Sequence, residues 1–227
     1  MSYSYYEVYN NTLRAFRGMN FPYGSDEDAA YIITYLELYK LDGLKLLANN
    51  LDKYDQNFNG TIDYIDSKNS FNLKNKSSLM IAPSLIDYTA SKMEKANQIT
   101  FELKNCSDFI FFIPLLIRLT KKNIYSSVKN KNYIICNINK EKISINNLLK
   151  KNINSEENFQ IKLHRKNSKF DNLDINFQLN ILYDRLSRGL TPKINDWKKI
   201  SKIAFRTYVP ESNESRNKGA GGGDDND

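Results

Sequence analysis

Apolar residues recur at helical spacing in the first quarter of the chain. Ser4 opens a capping box, and the apolar positions that follow it predict a helix over residues 5–17. A second helix is predicted after Ser25, whose hydroxyl would cap its first turn, and a third ends near residue 54. Residues 1–54 are therefore predicted to form a helical unit.

The pattern then alternates between polar and apolar stretches. Residues 55–78 are polar and rich in Asn, which predicts a loop. Apolar positions at residues 83–96 and 109–119 predict two further helices, and the alternation at 100–104 predicts a strand between them.

From residue 123 onwards the hydrophobic period changes to two, which is typical of strands packed on one face. The predicted strands cover residues 124–128, 133–138, 142–145 and 159–163, with a hairpin turn at 129–132. Two closing helices are predicted at 177–188 and 195–208, the second capped by Asn195. The predicted fold class is α+β, with an antiparallel sheet in one domain over residues 1–210 (helix and sheet core 79–210) and a tail at 211–227.

Positive charge is concentrated in one part of the chain. The net charge is +7, and residues 121–170 alone hold 12 Lys and Arg against 3 Asp and Glu. No known nucleic-acid module accompanies this segment, so nucleic acid is not an expected partner. The interpretation favoured by the sequence is solvated lysines on strand edges and loops.

The sequence also argues against membrane and export signals. The longest apolar run, residues 109–117, has nine residues, short of the roughly 20 that a membrane-spanning helix needs. The start of the chain lacks a secretory pattern, so we expect a cytoplasmic protein with no membrane partner. Cys106 and Cys136 have no metal-site spacing and are predicted to be free thiols.

A calcium-loop pattern occurs within the polar stretch. Its oxygen ligands would be Asp55, Asn57, Asn59, the Thr61 carbonyl, Asp63 and Asp66. Gly60 stands at the sharp turn, but the last ligand is the short Asp and no good exiting helix follows. An Asn-rich connecting loop is the alternative, and the sequence leaves calcium as a candidate cofactor.

The known catalytic patterns are missing. His164 is the only His, no G-x-S-x-G motif accompanies it, and it is interpreted as a surface or strand residue. The Gly-rich tail differs in composition from the rest of the chain and is either a flexible extension or a ligand-binding segment. Its candidate binding residues are Tyr208, Ser212, Ser215, Arg216, Gly219 and Gly221.

The tail T-Y-V-P-x-S-x-x-S-R-x-x-G-A-G, with its acidic D-N-D end, resembles an uncharacterised bacterial family of unknown function. The Arg17-Gly18 pair, the Tyr23-Gly24 turn and the segment Leu41-Asp-Gly-Leu44 resemble the opening of that family. The resemblance implies an intact domain whose tail does more than add solubility, and it implies no activity.

Three functions follow as hypotheses. The first is an uncharacterised cytoplasmic protein that binds a small anionic metabolite or a partner enzyme with its tail. The second is an enzyme of unknown reaction that uses dispersed carboxylate, Tyr and Arg residues, for example in the helical unit. The third is a calcium-binding module through the loop from Asp55 to Asp66.

Overall fold

The structure of the protein is a computed structural model that describes residues 2–65, 69–147, 149, 156–170, 172–179 and 181–208. Within these residues, helices and strands confirm the α+β class. The α-helices are α1 (Tyr5–Gly18), α2 (Ser25–Leu38), α3 (Gly43–Tyr54), α4 (Ser78–Lys92), α5 (Ile113–Leu119), α6 (Ile181–Arg188) and α7 (Ile194–Ala204). Short 3-10 turns cover Phe109–Phe112, Thr120–Lys122 and Phe205–Thr207.

The first three helices confirm the predicted N-terminal helical unit. The capping box of α1 is present, because Glu7 N donates to Ser4 Oγ and Ser4 N donates to the Glu7 carboxylate. The predicted cap of α2 is wrong, since Ser25 is already the first helical residue. Gly24 holds the cap position with φ +86°, a conformation that favours glycine and leaves no side chain to cap the helix.

An eight-stranded sheet forms the other layer, in the order β1-β2-β3-β7-β4-β5-β6-β8. Its strands are β1 (Asp63–Ile65), β2 (Ser70–Asn72), β3 (Gln98–Cys106), β4 (Tyr125–Asn130), β5 (Tyr133–Ile138), β6 (Lys142–Ile145), β7 (Glu157–His164) and β8 (Ile175–Gln178). Of the strand pairs that the structure describes, only β2–β3 is parallel, so the predicted antiparallel character is confirmed.

Two predicted segments differ from the structure. The polar stretch 55–78 is mostly loop but contributes β1 and β2, because β3 offers its edge to Ser70–Asn72. The start of the predicted helix 177–188 is instead β8, where Phe177 pairs with Ile143 and joins the apolar layer. The second closing helix begins at Ile194 with Lys193 at its cap, so Asn195 lies inside the helix and does not cap it.

One hydrophobic core lies between the helices and one face of the sheet. In β7 the side chains of Phe159, Ile161 and Leu163 are buried in this core, while the intervening side chains lie on the opposite face. Both cysteines are buried free thiols, as predicted. Across the described ranges, every helix is too short or too polar to cross a bilayer.

The two ends of the described chain pack against each other. Tyr3 forms a β-bridge with Leu190 and stacks on Trp197, with ring centroids 4.0 Å apart. Helix α1 approaches α7 so closely that a Cβ on Gly18 would lie 2.6 Å from the Ile203 carbonyl oxygen. This contact places the end of α7 beside the C-terminal turn of α1.

Candidate functional site

A groove of about 710 Å³ opens where the end of α1, the α1–α2 turn and the last described residues meet. Its lining consists of Arg14, Arg17, Asn20, Phe21, Pro22, Tyr23 and Thr207. Arg14 and Arg17 are three residues apart on α1, a spacing that places two side chains on one face of a helix. The groove therefore presents two guanidinium groups to one cavity.

Arg17 is fixed from behind by a buried carboxylate. Its Nε lies 2.8 Å from Asp26 Oδ2, and Asp26 has no exposed surface. The backbone N–H of Glu27 donates to the other Asp26 oxygen over 2.9 Å. The hydrogen bond to Asp26 raises the pKa of Arg17, so this guanidinium stays charged. Arg17 Nη2 lies 4.0 Å from Glu27 Oε1, too far for a hydrogen bond, so the terminal N–H groups of Arg17 can donate to another acceptor.

Arg14 has a different environment. Its Nη1 donates a hydrogen bond to the Tyr208 hydroxyl, and its guanidinium carbon lies 5.0 Å from the centre of that ring. Within the residues that the structure describes, Arg14 has no carboxylate within ion-pair distance. Its charge is therefore not neutralised by any carboxylate that the structure describes, and a carboxylate or phosphate is the chemical group that a guanidinium binds best.

A third arginine, Arg206, precedes the groove residue Thr207 and is paired with a carboxylate. Arg206 Nη1 lies 2.7 Å from both carboxylate oxygens of Asp55, which caps α3. The same nitrogen lies 3.5 Å from the Gly18 carbonyl oxygen. This pair links α3 to the last described turn, so it positions the groove rather than serving a ligand.

Of the six residues predicted to bind a ligand, the structure describes one. Tyr208 lies at the rim of the groove, half exposed and in contact with Arg14. The others, Ser212, Ser215, Arg216, Gly219 and Gly221, lie outside the described residues, and their role stays a prediction. Sequence reasoning missed Arg14 and Arg17; the i, i+3 spacing of the two arginines at the end of a predicted helix was the available signal.

The predicted calcium ligands make contacts of their own. The Asp55 carboxylate is paired with Arg206, and the Thr61 carbonyl accepts a hydrogen bond of 2.7 Å from Lys76 Nζ. Both oxygens would have to leave these partners before they could bind a cation. No cluster of three His, Cys, Asp or Glu side chains suited to a metal occurs in the described part of the chain.

The side chains of two further predicted ligands, Asn57 and Asn59, also form hydrogen bonds within the chain. Asn59 accepts from Thr61 N and Oγ1, and the Asn57 amide donates to the Lys53 carbonyl. The Asp63 side chain and Asp66 fall outside the described set. The calcium loop stays a prediction.

The acid–base groups expected of an enzyme do not gather at the groove. Burial raises the pKa of Glu37, but this carboxylate accepts the Leu44 N–H at the opposite end of α2 from Asp26. Burial also raises the pKa of Tyr5, Tyr31 and Tyr39, which keeps these phenols protonated. Among the described residues the groove lining itself contains two guanidinium groups and no carboxylate, and the exposed Glu27 carboxylate lies 4.0 Å from Arg17 Nη2.

Comparisons with known proteins give a family match over part of the chain and name no activity for it. Residues 3–76 match a family described as "Protein of unknown function (DUF3726)". No curated protein resembles the chain in sequence. The matched segment includes α1 to α3, and therefore includes Arg14, Arg17 and Asp26.

Three solved structures share the fold at very low sequence identity. A dehydrogenase from Sinorhizobium meliloti is 8% identical, with a TM-score of 0.62 over 90% of this chain and 99% of its own. A malate dehydrogenase from Entamoeba histolytica is 6% identical, with a TM-score of 0.61 over 93% and 99%. A candidate malate/lactate dehydrogenase from E. coli is 8% identical, with a TM-score of 0.61 over 93% and 96%. The family resemblance is thus confirmed over residues 3–76 as one to proteins of unknown function, and the chain has the fold of these dehydrogenase structures.

Proposed function

We propose that the protein binds a small anionic metabolite in the groove between α1 and the last described turn, with the tail as part of the site. The observation that carries this proposal is Arg14, a guanidinium without a carboxylate partner in the described chain, beside the fixed guanidinium of Arg17. Two such groups on one wall suit a carboxylate or a dicarboxylate, since guanidinium N–H groups bind both oxygens of a carboxylate. Malate, named for two of the similar structures, is a dicarboxylate of this class.

The position of Tyr208 supports a role for the tail. It is the last described residue and lies on the rim of the groove, so the 19 residues that follow start at the site. A chain of that length can extend over roughly 60 Å, which is ample to cross the groove. Arg216 would bring a further guanidinium to an anion bound there.

The test is a calorimetric titration with malate and a panel of other mono- and dicarboxylates. Arg14→Gln removes a charge-assisted hydrogen bond worth about 1.5–3 kcal/mol, so affinity should fall roughly 10- to 100-fold. Arg188→Gln is the matched control, because Arg188 is exposed on α6, away from the groove lining. Deletion of residues 211–227 should also weaken binding. Equal affinity of the wild type, Arg14→Gln and the deletion would refute the proposal.

The enzyme hypothesis draws its support from the fold of the dehydrogenase structures. The groove favours binding over catalysis, because no carboxylate is among its described lining residues and both oxygens of Asp26, behind Arg17, are engaged by Arg17 and Glu27 N. Turnover of a carboxylate that also binds in the titration, lost in Arg14→Gln, would favour the enzyme. Affinity for a partner protein without affinity for any carboxylate would favour the partner instead.

A further inference from the structure

The face of the sheet that points away from the helices carries a continuous polar row. Strand alternation brings one residue from each of six neighbouring strands into register on this face. In spatial order the row is Thr100, Lys162, Ser127, Asn137, Ser144 and Asn176. An antiparallel sheet commonly has one solvated face, so polarity alone does not mark a site.

A cavity of about 370 Å³ lies over this row, between the strands and the loop that follows β7. Three lysines line it, Lys129 from β4, Lys162 from β7 and Lys166 from the loop. His164 lines it as well, with its Nδ1 2.8 Å from the Lys166 carbonyl oxygen. The excess charge of residues 121–170 is therefore partly gathered around one cavity, whereas the sequence favoured lysines dispersed over edges and loops.

The charge of this cavity is not compensated by the described chain. No carboxylate is among the residues that line it, and none of the three lysines forms an ion pair within the described ranges. Like charges that converge on one pocket repel each other, and an anion bound between them removes that repulsion. Lysines that served only to keep the surface solvated would not need to line the same cavity.

A polar side chain at the floor of the cavity is free to contact a ligand. Asn137 is only 7% exposed, lies in the polar row and lines the cavity. Its carboxamide makes no hydrogen bond to any part of the chain that the structure describes. The amide atoms are not sealed from the cavity, so a ligand oxygen that enters it can accept a hydrogen bond from the NH₂ group of Asn137.

We propose that this cavity binds a small phosphate-bearing ligand, with the phosphate held by Lys129, Lys162 and Lys166 above the Asn137 amide. Part of the cavity wall is apolar, since Phe170 and Ile134, the cross-strand partner of Lys129, also line it. The ligand is therefore a phosphate ester with an apolar or aromatic part. This site is separate from the groove at Arg14, and neither depends on the other.

The single His makes the test direct. The imidazole of His164 gives one histidine signal in the NMR spectrum of the whole protein, and that signal reports on the cavity. Phenyl phosphate is titrated at fixed pH and ionic strength, with inorganic phosphate and phenol in parallel. We expect a saturable shift with phenyl phosphate, weaker binding of inorganic phosphate, and no saturation with phenol.

Two variants test the assignment of residues. Lys162→Gln removes an exposed charge without disturbing the core, and Asn137→Asp keeps the shape while it directs a negative charge at the phosphate. Each should weaken phenyl phosphate about tenfold or more, which corresponds to one charge-assisted contact. Lys198→Gln, an exposed lysine of α7 with the same change in net charge, should bind like the wild type.

Three results would overturn the proposal. The first is the absence of a saturable shift of the His164 signal. The second is equal weakening in Lys162→Gln and Lys198→Gln, which would indicate a general effect of net charge. The third is binding of an oligoribonucleotide without binding of phenyl phosphate, which would make the surface a nucleic-acid interface.

Discussion

We expect loss of the ion pair between Arg17 and Asp26, beneath the groove, to lower the stability of the protein measurably. Asp26 has no exposed surface, and its Oδ2 lies 2.8 Å from Arg17 Nε. Loss of one partner of a buried ion pair typically costs about 3–5 kcal/mol, because the other charge is left buried without compensation.

Two features of the structure reduce this cost in Arg17→Gln. The Arg17 side chain is 40% exposed, so solvent screens part of the interaction. Asp26 also keeps the Glu27 N–H and the positive end of α2, which contributes about 0.3–1 kcal/mol. We therefore expect Arg17→Gln to lower the free energy of unfolding by about 2–3 kcal/mol. For a chain of this length the melting temperature should fall by about 5–10 °C.

Urea unfolding followed by circular dichroism measures the change. Arg188→Gln, which breaks only an exposed pair with Asp184, should stay within about 0.5 kcal/mol of the wild type. The double variant Arg17→Gln/Asp26→Asn should recover part of the loss, because no buried charge remains. A cost for Arg17→Gln no larger than that of Arg188→Gln, or strict additivity in the double variant, would refute the reasoning.

Three further predictions concern the fold and its titratable groups. Gly43→Ala should cost at least about 1–3 kcal/mol in urea unfolding, because the new Cβ would lie 2.1 Å from the Ile33 carbonyl oxygen; Lys45→Ala, exposed on the same helix, is the control. Burial, with a smaller contribution from a neighbouring lysine, lowers the pKa of His164, so its contribution to stability is present above about pH 6.5 and is lost as the pH falls. His164→Gln should flatten that pH dependence, and an unchanged slope would contradict it. Burial raises the pKa of both cysteine thiols to about 12, so a thiol reagent should label them at pH 8 only after unfolding; rapid labelling of the native protein would disprove their burial.

The strength of the local pattern determined how much of the fold could be predicted. The strands at residues 133–138 and 142–145 have the predicted bounds, because short apolar, β-branched-rich runs are bounded there by Asn and Lys turn residues. β1 and β2 were missed, since each has three residues and β2 is placed by the edge of β3 rather than by its own sequence. The predictions that Ser25 and Asn195 cap their helices were wrong. Each helix begins earlier than predicted, with Gly24 and Lys193 at the cap positions.

The candidate sites could be predicted less well, and the reason is physical. An Arg pair on an exposed helix face is ordinary in sequence, and Arg14 becomes distinctive only because Tyr208, 194 residues later, is its neighbour. Lys129 and Lys162 are likewise unremarkable until β4 and β7 pair and turn both side chains to one face. The net charge of a segment can be read from the sequence, but which of its lysines line the same cavity depends on how the strands pair.

The contact between the two chain ends links the fold to the proposed function. Arg14 and Arg17 lie in the segment that matches the family of unknown function, whereas Thr207 and Tyr208 close the groove from outside that segment. The groove therefore exists only when α7 is docked on α1, and the Tyr3–Trp197 stack and the close approach at Gly18 hold it there. We expect the residues that follow Tyr208 to respond to a ligand in the groove, because Tyr208 itself contacts Arg14. We therefore expect ligand binding in the groove to be coupled to the docking of α7 on α1 through one short turn, Phe205–Thr207.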